Sequence, residues 1–158
     1  MTIKHIFVIG AGTMGNGIAQ ACAVSGVNVV MVDISEAAVA KGIATVASSL
    51  DRLIKKEKMT EAEKTAALAR IHGSTQYQDL QKAQLVIEAA TENFDLKVKI
   101  LKQVDGLLAE DVIVASNTSS ISITKLAAAT TRADRFIGMH FFNPVPMMAL
   151  VEIIRGLQ

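Results

Sequence analysis

The chain has 158 residues, 51% of them hydrophobic, and a formal net charge of +1 from 16 basic and 15 acidic side chains. That is the size and apolar content of one domain with a sizeable core. Near-neutral charge offers no basic field to draw in nucleic acid or an anionic membrane surface, and no apolar run approaches the ~18 residues of a membrane span, so neither partner is expected.

Short apolar runs alternate with longer segments of helical period. In chain order the strand candidates are Ile6–Ile9, Val29–Val32, a weak one near Ile71, Leu85–Ile87, Val112–Val114, Phe136–Met139 and a final run Leu150–Ile154. Each central run is apolar at consecutive positions, as a strand covered on both faces must be. Between them, Val39, Ile43, Val46, Leu50 and Leu53 fall on one helical face, as do Ile100, Leu101, Val104, Leu107 and Leu108. Alternating strands and helices imply right-handed βαβ units. The fold class predicted is α/β, a Rossmann-type doubly wound, mostly parallel sheet.

The connection from Asp33 to Ile71 is longer than one crossover helix requires. It reads as a helical excursion after the second strand, in two helices. The second starts at Thr60-Glu61-Ala62-Glu63, a capping-box pattern, and the polar run Lys55-Lys56-Glu57-Lys58 marks the junction. Such an excursion either covers a ligand or is merely a solvated helix pair. Cys22, the sole cysteine, excludes a disulfide within the chain and reads as a small buried residue. Met1–His5 carries no separate signal core. A soluble, cytoplasmic domain is the expectation.

The turn Gly10-Ala11-Gly12-Thr13-Met14-Gly15 has the spacing of a phosphate cradle, and three features of its context agree with that. An apolar strand precedes Gly10, a helical pattern follows Gly15, and the acid Asp33 closes the second strand. Gly10 permits the tight turn, Gly12 lets the backbone approach a pyrophosphate, and Gly15 lets the helix pack closely. The helix N-terminus presents free N–H groups to the phosphates. Asp33 is suited to both hydroxyls of the adenosine ribose and repels a 2′-phosphate; no arginine stands at Ile34, Ser35 or Glu36. The cofactor predicted is NAD rather than NADP.

Two further constellations lie at strand ends. Ala115-Ser116-Asn117-Thr118-Ser119-Ser120 puts small polar groups where an open α/β sheet gathers ligands, although serine and asparagine there can equally cap a helix beginning near Ser122. His140 follows the strand Phe136–Met139, and Glu152 lies on the neighbouring candidate strand. A carboxylate on Nδ1–H fixes the imidazole tautomer and favours its protonated form, the arrangement a general base needs. His5 and His72 have no such setting and read as structural. No cluster of Cys, His and acids has metal-ligand spacing, so no metal is expected.

Taken with Glu88-Ala89-Ala90-Thr91-Glu92-Asn93 and His140-Phe141-Phe142-Asn143-Pro144-Val145-Pro146, these motifs resemble the 3-hydroxyacyl-CoA dehydrogenase family along the whole chain. Within it the likeness is strongest to bacterial 3-hydroxybutyryl-CoA dehydrogenases. The resemblance implies reversible NAD-dependent oxidation of (S)-3-hydroxyacyl-CoA to 3-oxoacyl-CoA. It makes His140 the base, Glu152 its orienting carboxylate and Ser119 a partner of the substrate oxygen. It places Glu92, Lys97 and Asn117 near the nicotinamide half of the cofactor, with Gly10, Gly12, Thr13, Met14, Gly15 and Asp33 holding the remainder. Ser49 and Lys56 align with residues that contact coenzyme A.

Ala149 departs from the lysine of many relatives. The resemblance also implies that residues 1–158 are the NAD-binding domain alone, with the family's C-terminal helical domain, and most of its homodimer interface, outside this chain. The alternatives are a module that binds NAD without turnover, and an NAD-linked 3-hydroxy-acid dehydrogenase that does not use CoA.

Overall fold

The computed structural model describes residues 2–118, 120–143, 145–147 and 151–156. Its sheet has seven strands: β1 (His5–Ile9), β2 (Asn28–Val32), β3 (Ile71–Ser74), β4 (Leu85–Glu88), β5 (Ile113–Ser116), β6 (Phe136–Phe141) and β7 (Val151–Arg155), in the order β3-β2-β1-β4-β5-β6-β7. All neighbours are parallel except β6 and β7. The predicted α/β class and the weak strand near Ile71 are both present. Several strands run further than the apolar runs suggested, β1, β2 and β4 by one residue each. β5 continues through Ser116 and β6 through His140 to Phe141, because ladder pairing with a neighbour carries polar residues that hydropathy alone would exclude.

Alternation along the strands decides the layers. Ile6, Val8, Val29, Met31 and Ile87 pack beneath α1 (Thr13–Val24), and Phe7, Ile9, Val86 and Val114 pack on the other face. There they meet α4 (Phe94–Asp105) through Leu101 and Val104, and α5 (Ile123–Ala127) through Leu126. Side chains of this kind, fully removed from water, each contribute about 1.5–3 kcal/mol.

The excursion is α2 (Glu36–Lys55) followed by α3 (Glu61–Ala69). The periodic face of α2 is buried at Val39, Val46 and Leu50, and a third cluster with Ala23, Ala67 and Ile71 fastens both helices to α1. Ser35 caps α2, and Thr60 with Glu63 forms the expected reciprocal capping box on α3. The α2 helix stops in a Schellman arrangement, with Lys58 N–H bonding Leu53 C=O at 2.9 Å and Glu57 N–H bonding Ile54 C=O at 2.9 Å.

The helical pattern Ile100–Leu108 is cut short. α4 ends at Asp105, Gly106 is its C-cap, and Leu107 is 46% exposed. The stretch beyond is organised by the buried Arg132 instead. Its guanidinium donates to Asp105 Oδ1 at 2.6 Å and to the carbonyls of Ala109 and Val112 at 2.6 and 3.0 Å. Burial pushes the Asp105 carboxyl up, but hydrogen bonds from Arg132 and Thr131 outweigh it and leave the carboxyl below its ordinary value.

Two outcomes are expected. Glu57 is the one non-glycine residue with positive φ among those described, at 57°. A left-handed side-chain-bearing residue costs about 1–2 kcal/mol, so Glu57→Gly should raise the urea midpoint by an amount equivalent to about 1 kcal/mol. Asp105 is a depressed carboxyl; its stabilisation is complete above the unfolded carboxylate range and is lost as pH falls through the folded value. Asp105→Asn should therefore cost about 3 kcal/mol at neutral pH, with the gap to the unaltered protein narrowing below about pH 4. Denaturant titrations at several pH values measure it.

Candidate active site at the carboxyl edge of the sheet

Strands β1, β2, β4 and β5 run parallel and end at one edge, so the loops that follow them converge there. The turn after β1 is shaped by contacts that only glycine allows. Gly10 has φ +109°, and a Cβ on it would lie 2.8 Å from the Ala89 carbonyl oxygen. A Cβ on Gly15 would lie 1.8 Å from the Gly10 carbonyl oxygen, so α1 rests directly on the turn.

Gly12 is different. It is exposed, nothing lies within 4 Å of where its Cβ would be, and it is the N-cap of α1 without any side-chain cap. No acid occupies the first turn of α1 either. Unpaired N–H groups at the positive end of a helix, facing open space, suit an anion such as a pyrophosphate.

Asp33, directly after β2, turns its carboxylate to this turn. Oδ2 accepts the Ala11 N–H at 2.8 Å and Oδ1 the Ile34 N–H at 2.6 Å. The carboxylate is thus aimed before any ligand arrives, with lone pairs to spare for two hydroxyls. Asp33, Gly12 and Thr13 line two adjoining clefts of about 280 and 320 Å³. The second also contains Gly10, Met14, Glu92 and Asn117, so seven residues predicted from separate stretches of sequence meet in one hollow.

Glu92 accepts hydrogen bonds from Thr118 at 2.9 Å and Ser120 at 3.1 Å, which ties the loop after β4 to the loop after β5. Asn117, largely buried, accepts the Phe141 N–H at 3.0 Å on Oδ1 and so joins the cleft to the end of β6. On that strand His140 stands opposite Glu152 of β7 in the antiparallel register, with Nδ1 3.7 Å from the carboxylate. This is an ion-pair distance, longer than a hydrogen bond. The His140 ring also lies 4.5 Å from that of Phe142. Ser119, Pro144, Ala149 and Leu150 lie outside the described residues.

A further cleft of about 240 Å³ shares Thr13 with the nucleotide cradle and runs along α2, past Ser49, Arg52 and Lys56, to Asn143 and Val145. The Ser49 and Lys56 positions therefore open onto the same edge as His140's strand. Ser122 caps α5, as one reading of the serine cluster allowed. A larger cleft, about 580 Å³, is elsewhere, by His5, Asn28 and His72. It exists because the β3–β4 connection includes only a 3-10 turn, Gln78–Lys82, over that face, and no candidate site residue lines it.

Lys97 does not line the cofactor cleft. It is fully buried, and its ammonium lies 2.5 Å from Glu88 Oε1, which also accepts from Ser116 Oγ at 2.7 Å. Sequence reasoning missed this pair, although an acid ending an otherwise apolar strand, as Glu88 does, was the available signal. Arg52 and Lys41, which line the clefts beside α2, were missed as well. They sit on the polar face of an amphipathic helix, where a cation is indistinguishable from a solvated one. No group of three or more His, Cys, Asp or Glu among the described residues could hold a metal, and no helix among them is long and apolar enough to cross a membrane.

The order of the strands, the glycine turn and the aimed acid define a dinucleotide-binding α/β domain. The family described as "3-hydroxyacyl-CoA dehydrogenase, NAD binding domain" matches residues 5–158, and the chain belongs to that family. It is 51% identical to a 3-hydroxybutyryl-CoA dehydrogenase of Bradyrhizobium diazoefficiens, over 98% of this chain and 53% of the relative. The crystal structure of (S)-3-hydroxybutyryl-CoA dehydrogenase PaaH1 from Ralstonia eutropha superposes with a TM-score of 0.98 at 78% identity, over 99% of this chain and 56% of that one. M. tuberculosis FadB2 follows at 0.96 and 42% identity, over 99% and 55%. The chain spans about half the length of the relatives it matches, and its cofactor is NAD.

If Asp33 holds the adenosine ribose, Asp33→Ala should weaken NAD at least about tenfold, near 1.4 kcal/mol, and narrow the preference over NADP. Calorimetric titration with each cofactor measures both; an unchanged preference removes Asp33 from ribose recognition.

Proposed function

We propose that this chain is the cofactor-binding half of an enzyme that oxidises (S)-3-hydroxyacyl-CoA, 3-hydroxybutyryl-CoA in particular, reversibly to 3-oxoacyl-CoA, with His140 as general base. The observation that carries the reading is the cross-strand pair His140–Glu152, joined through Phe141 and Asn117 to the cleft that contains Gly12 and Asp33.

NAD supplies the hydride acceptor when bound. Gly10, Gly12, Thr13, Met14 and Gly15 offer its phosphates backbone N–H groups and close approach, and Asp33 takes the ribose. Glu92 and Asn117 wall the far end of the cleft, where the family resemblance sets the nicotinamide. Glu152 faces Nδ1 of His140, which orients the ring and leaves Nε2 as the nitrogen that removes the C3 hydroxyl proton as the C3 hydride departs. The developing imidazolium is then stabilised by the Glu152 carboxylate, a role worth several powers of ten in related bases. Ser119 is assigned the substrate oxygen on the resemblance alone.

Coenzyme A would lie along α2, its phosphates near the Lys56 ammonium and Ser49, in the cleft that shares a wall with the cradle. That placement favours a CoA thioester over a free 3-hydroxy acid. The same resemblance suggests a homodimer joined mainly through residues beyond this chain.

In a protein spanning the full length of the relatives, His140→Gln should lower kcat by about 10²–10⁴-fold and leave NAD affinity within about twofold. Undiminished turnover would take His140 out of the mechanism. Turnover of free 3-hydroxybutyrate in preference to its CoA thioester would overturn the substrate assignment, and NAD binding with no turnover of either would leave a cofactor-binding module.

A further inference from the structure

Gln20 lies on α1 one turn beyond Gly17, and only 3% of it is exposed. A buried amide ordinarily finds a partner in the protein. The Gln20 side chain bonds none of the described residues, yet no side-chain nitrogen or oxygen among them is sealed away without a partner. Its amide therefore ends at open space, and the space that Gln20 lines is the cleft of about 240 Å³ along α2.

That cleft differs in character from one end to the other. Thr13, Asn16 and Thr45 line both it and the nucleotide cleft of Asp33, so these three form the partition between the two. From Thr45 the lining face of α2 continues through Ser49 to Arg52 and Lys56, which sets the two cations about 10–16 Å from the partition. On α1, Gln20 stands about 10 Å along the helix from Thr13. The loop after β6 closes another side with Asn143 and Val145, and a Cβ on Gly17 would lie 2.9 Å from that of Val145. No acid lines the cleft.

A ligand laid here with its reacting end toward the cofactor meets neutral hydrogen-bonding groups first and cations last. Gln20 belongs to the neutral stretch. An apolar side chain would pack on that face of α1 equally well; what the amide adds is two donors and an acceptor turned to the ligand. That inventory suits a neutral group that both donates and accepts, and a secondary amide is such a group. An ionised phosphate only accepts and is matched by Arg52 and Lys56.

We infer that Gln20 is a specificity-determining residue for the substrate, pairing through its side-chain amide with the amide groups in the pantetheine arm of an acyl thioester. The inference rests on the coenzyme A reading of the cleft. It makes the cleft a reader of the arm itself, in addition to the phosphates that Lys56 attracts. A site that hydrogen-bonds a ligand group selects against an analogue lacking it, because the protein's own polar group is then left unpaired.

Three thioesters of acetoacetate test this. The coenzyme A thioester has phosphates and both amides, the pantetheine thioester keeps the amides alone, and the S-ethyl thioester has neither. In a protein spanning the full length of the relatives, kcat/KM is measured for each by NADH oxidation, in the unaltered protein and in Gln20→Leu. Gln20→Met, unbranched and of similar length, is run in parallel, with thermal midpoints, so that a packing defect in one variant does not decide the result. The ratio of kcat/KM for the pantetheine thioester to that for the ethyl thioester should fall about fivefold to tenfold in both variants, the effect of losing one hydrogen bond.

A fall of less than about threefold overturns the inference and leaves Gln20 as a packing residue of α1. If the unaltered protein turns over the ethyl thioester as well as the coenzyme A thioester, the coenzyme A reading of the cleft is overturned instead, and the inference with it.

Discussion

The approach of α1 to the turn after β1 is the constraint from which the rest of the molecule follows. With 1.8 Å between an imagined Gly15 Cβ and the Gly10 carbonyl oxygen, the helix cannot stand off to admit any side chain. Its N-terminus is therefore delivered to the carboxyl edge of the sheet, unpaired and open at Gly12. The left-handed turn at Gly10 in turn brings the chain against Ala89, so that the loop after β4 must pass beside the cradle. Asp33 locks the third side through its bond to Ala11. An open helix end, an aimed acid and the loop after β4 are thereby gathered around one close contact.

Around that contact, charged groups are placed by two different logics. Arg132 and Asp105 are structural: the guanidinium bonds the Asp105 carboxylate and the Ala109 and Val112 carbonyls, which fixes the connection between α4 and β5. Glu88 and Lys97 are drier still and lie beneath the cofactor cleft, where Glu88 also accepts from Ser116 and from the Ala90 N–H. His140 and Glu152 form a third pair, partly exposed and looser at 3.7 Å, the setting that the proposed base requires. Burial decreases from the first two pairs to the third, which alone of the three is open to solvent.

Much of this was legible beforehand because its signals are local. The glycine spacing, the acid closing the second strand and the Thr60–Glu63 capping box each depend on a few neighbouring residues, and each appears where expected. The face of α2 defined by Val39, Val46 and Leu50 was readable for the same reason, since helical period maps directly onto burial. Strand ends were less legible. Ser116 and His140 belong to strands by virtue of pairing with neighbours distant in the sequence. Leu107 and Leu108 leave the helical pattern because Gly106 and Arg132 together redirect the chain.

The sequence by itself determined the alternation of elements, the glycine turn with its acid, the cofactor NAD and the candidate base with its carboxylate, through short motifs read against the ends of strands. The tertiary structure alone decided which side chains meet. It put Asn117 between the cofactor cleft and the histidine strand, ran Ser49 and Lys56 into a cleft that shares a wall with the cradle, and paired Lys97 with Glu88. A solvated lysine and a buried one look alike in one dimension. Only the packing of α4 on the sheet, which removes all water from that ammonium and presents it with a carboxylate, tells them apart.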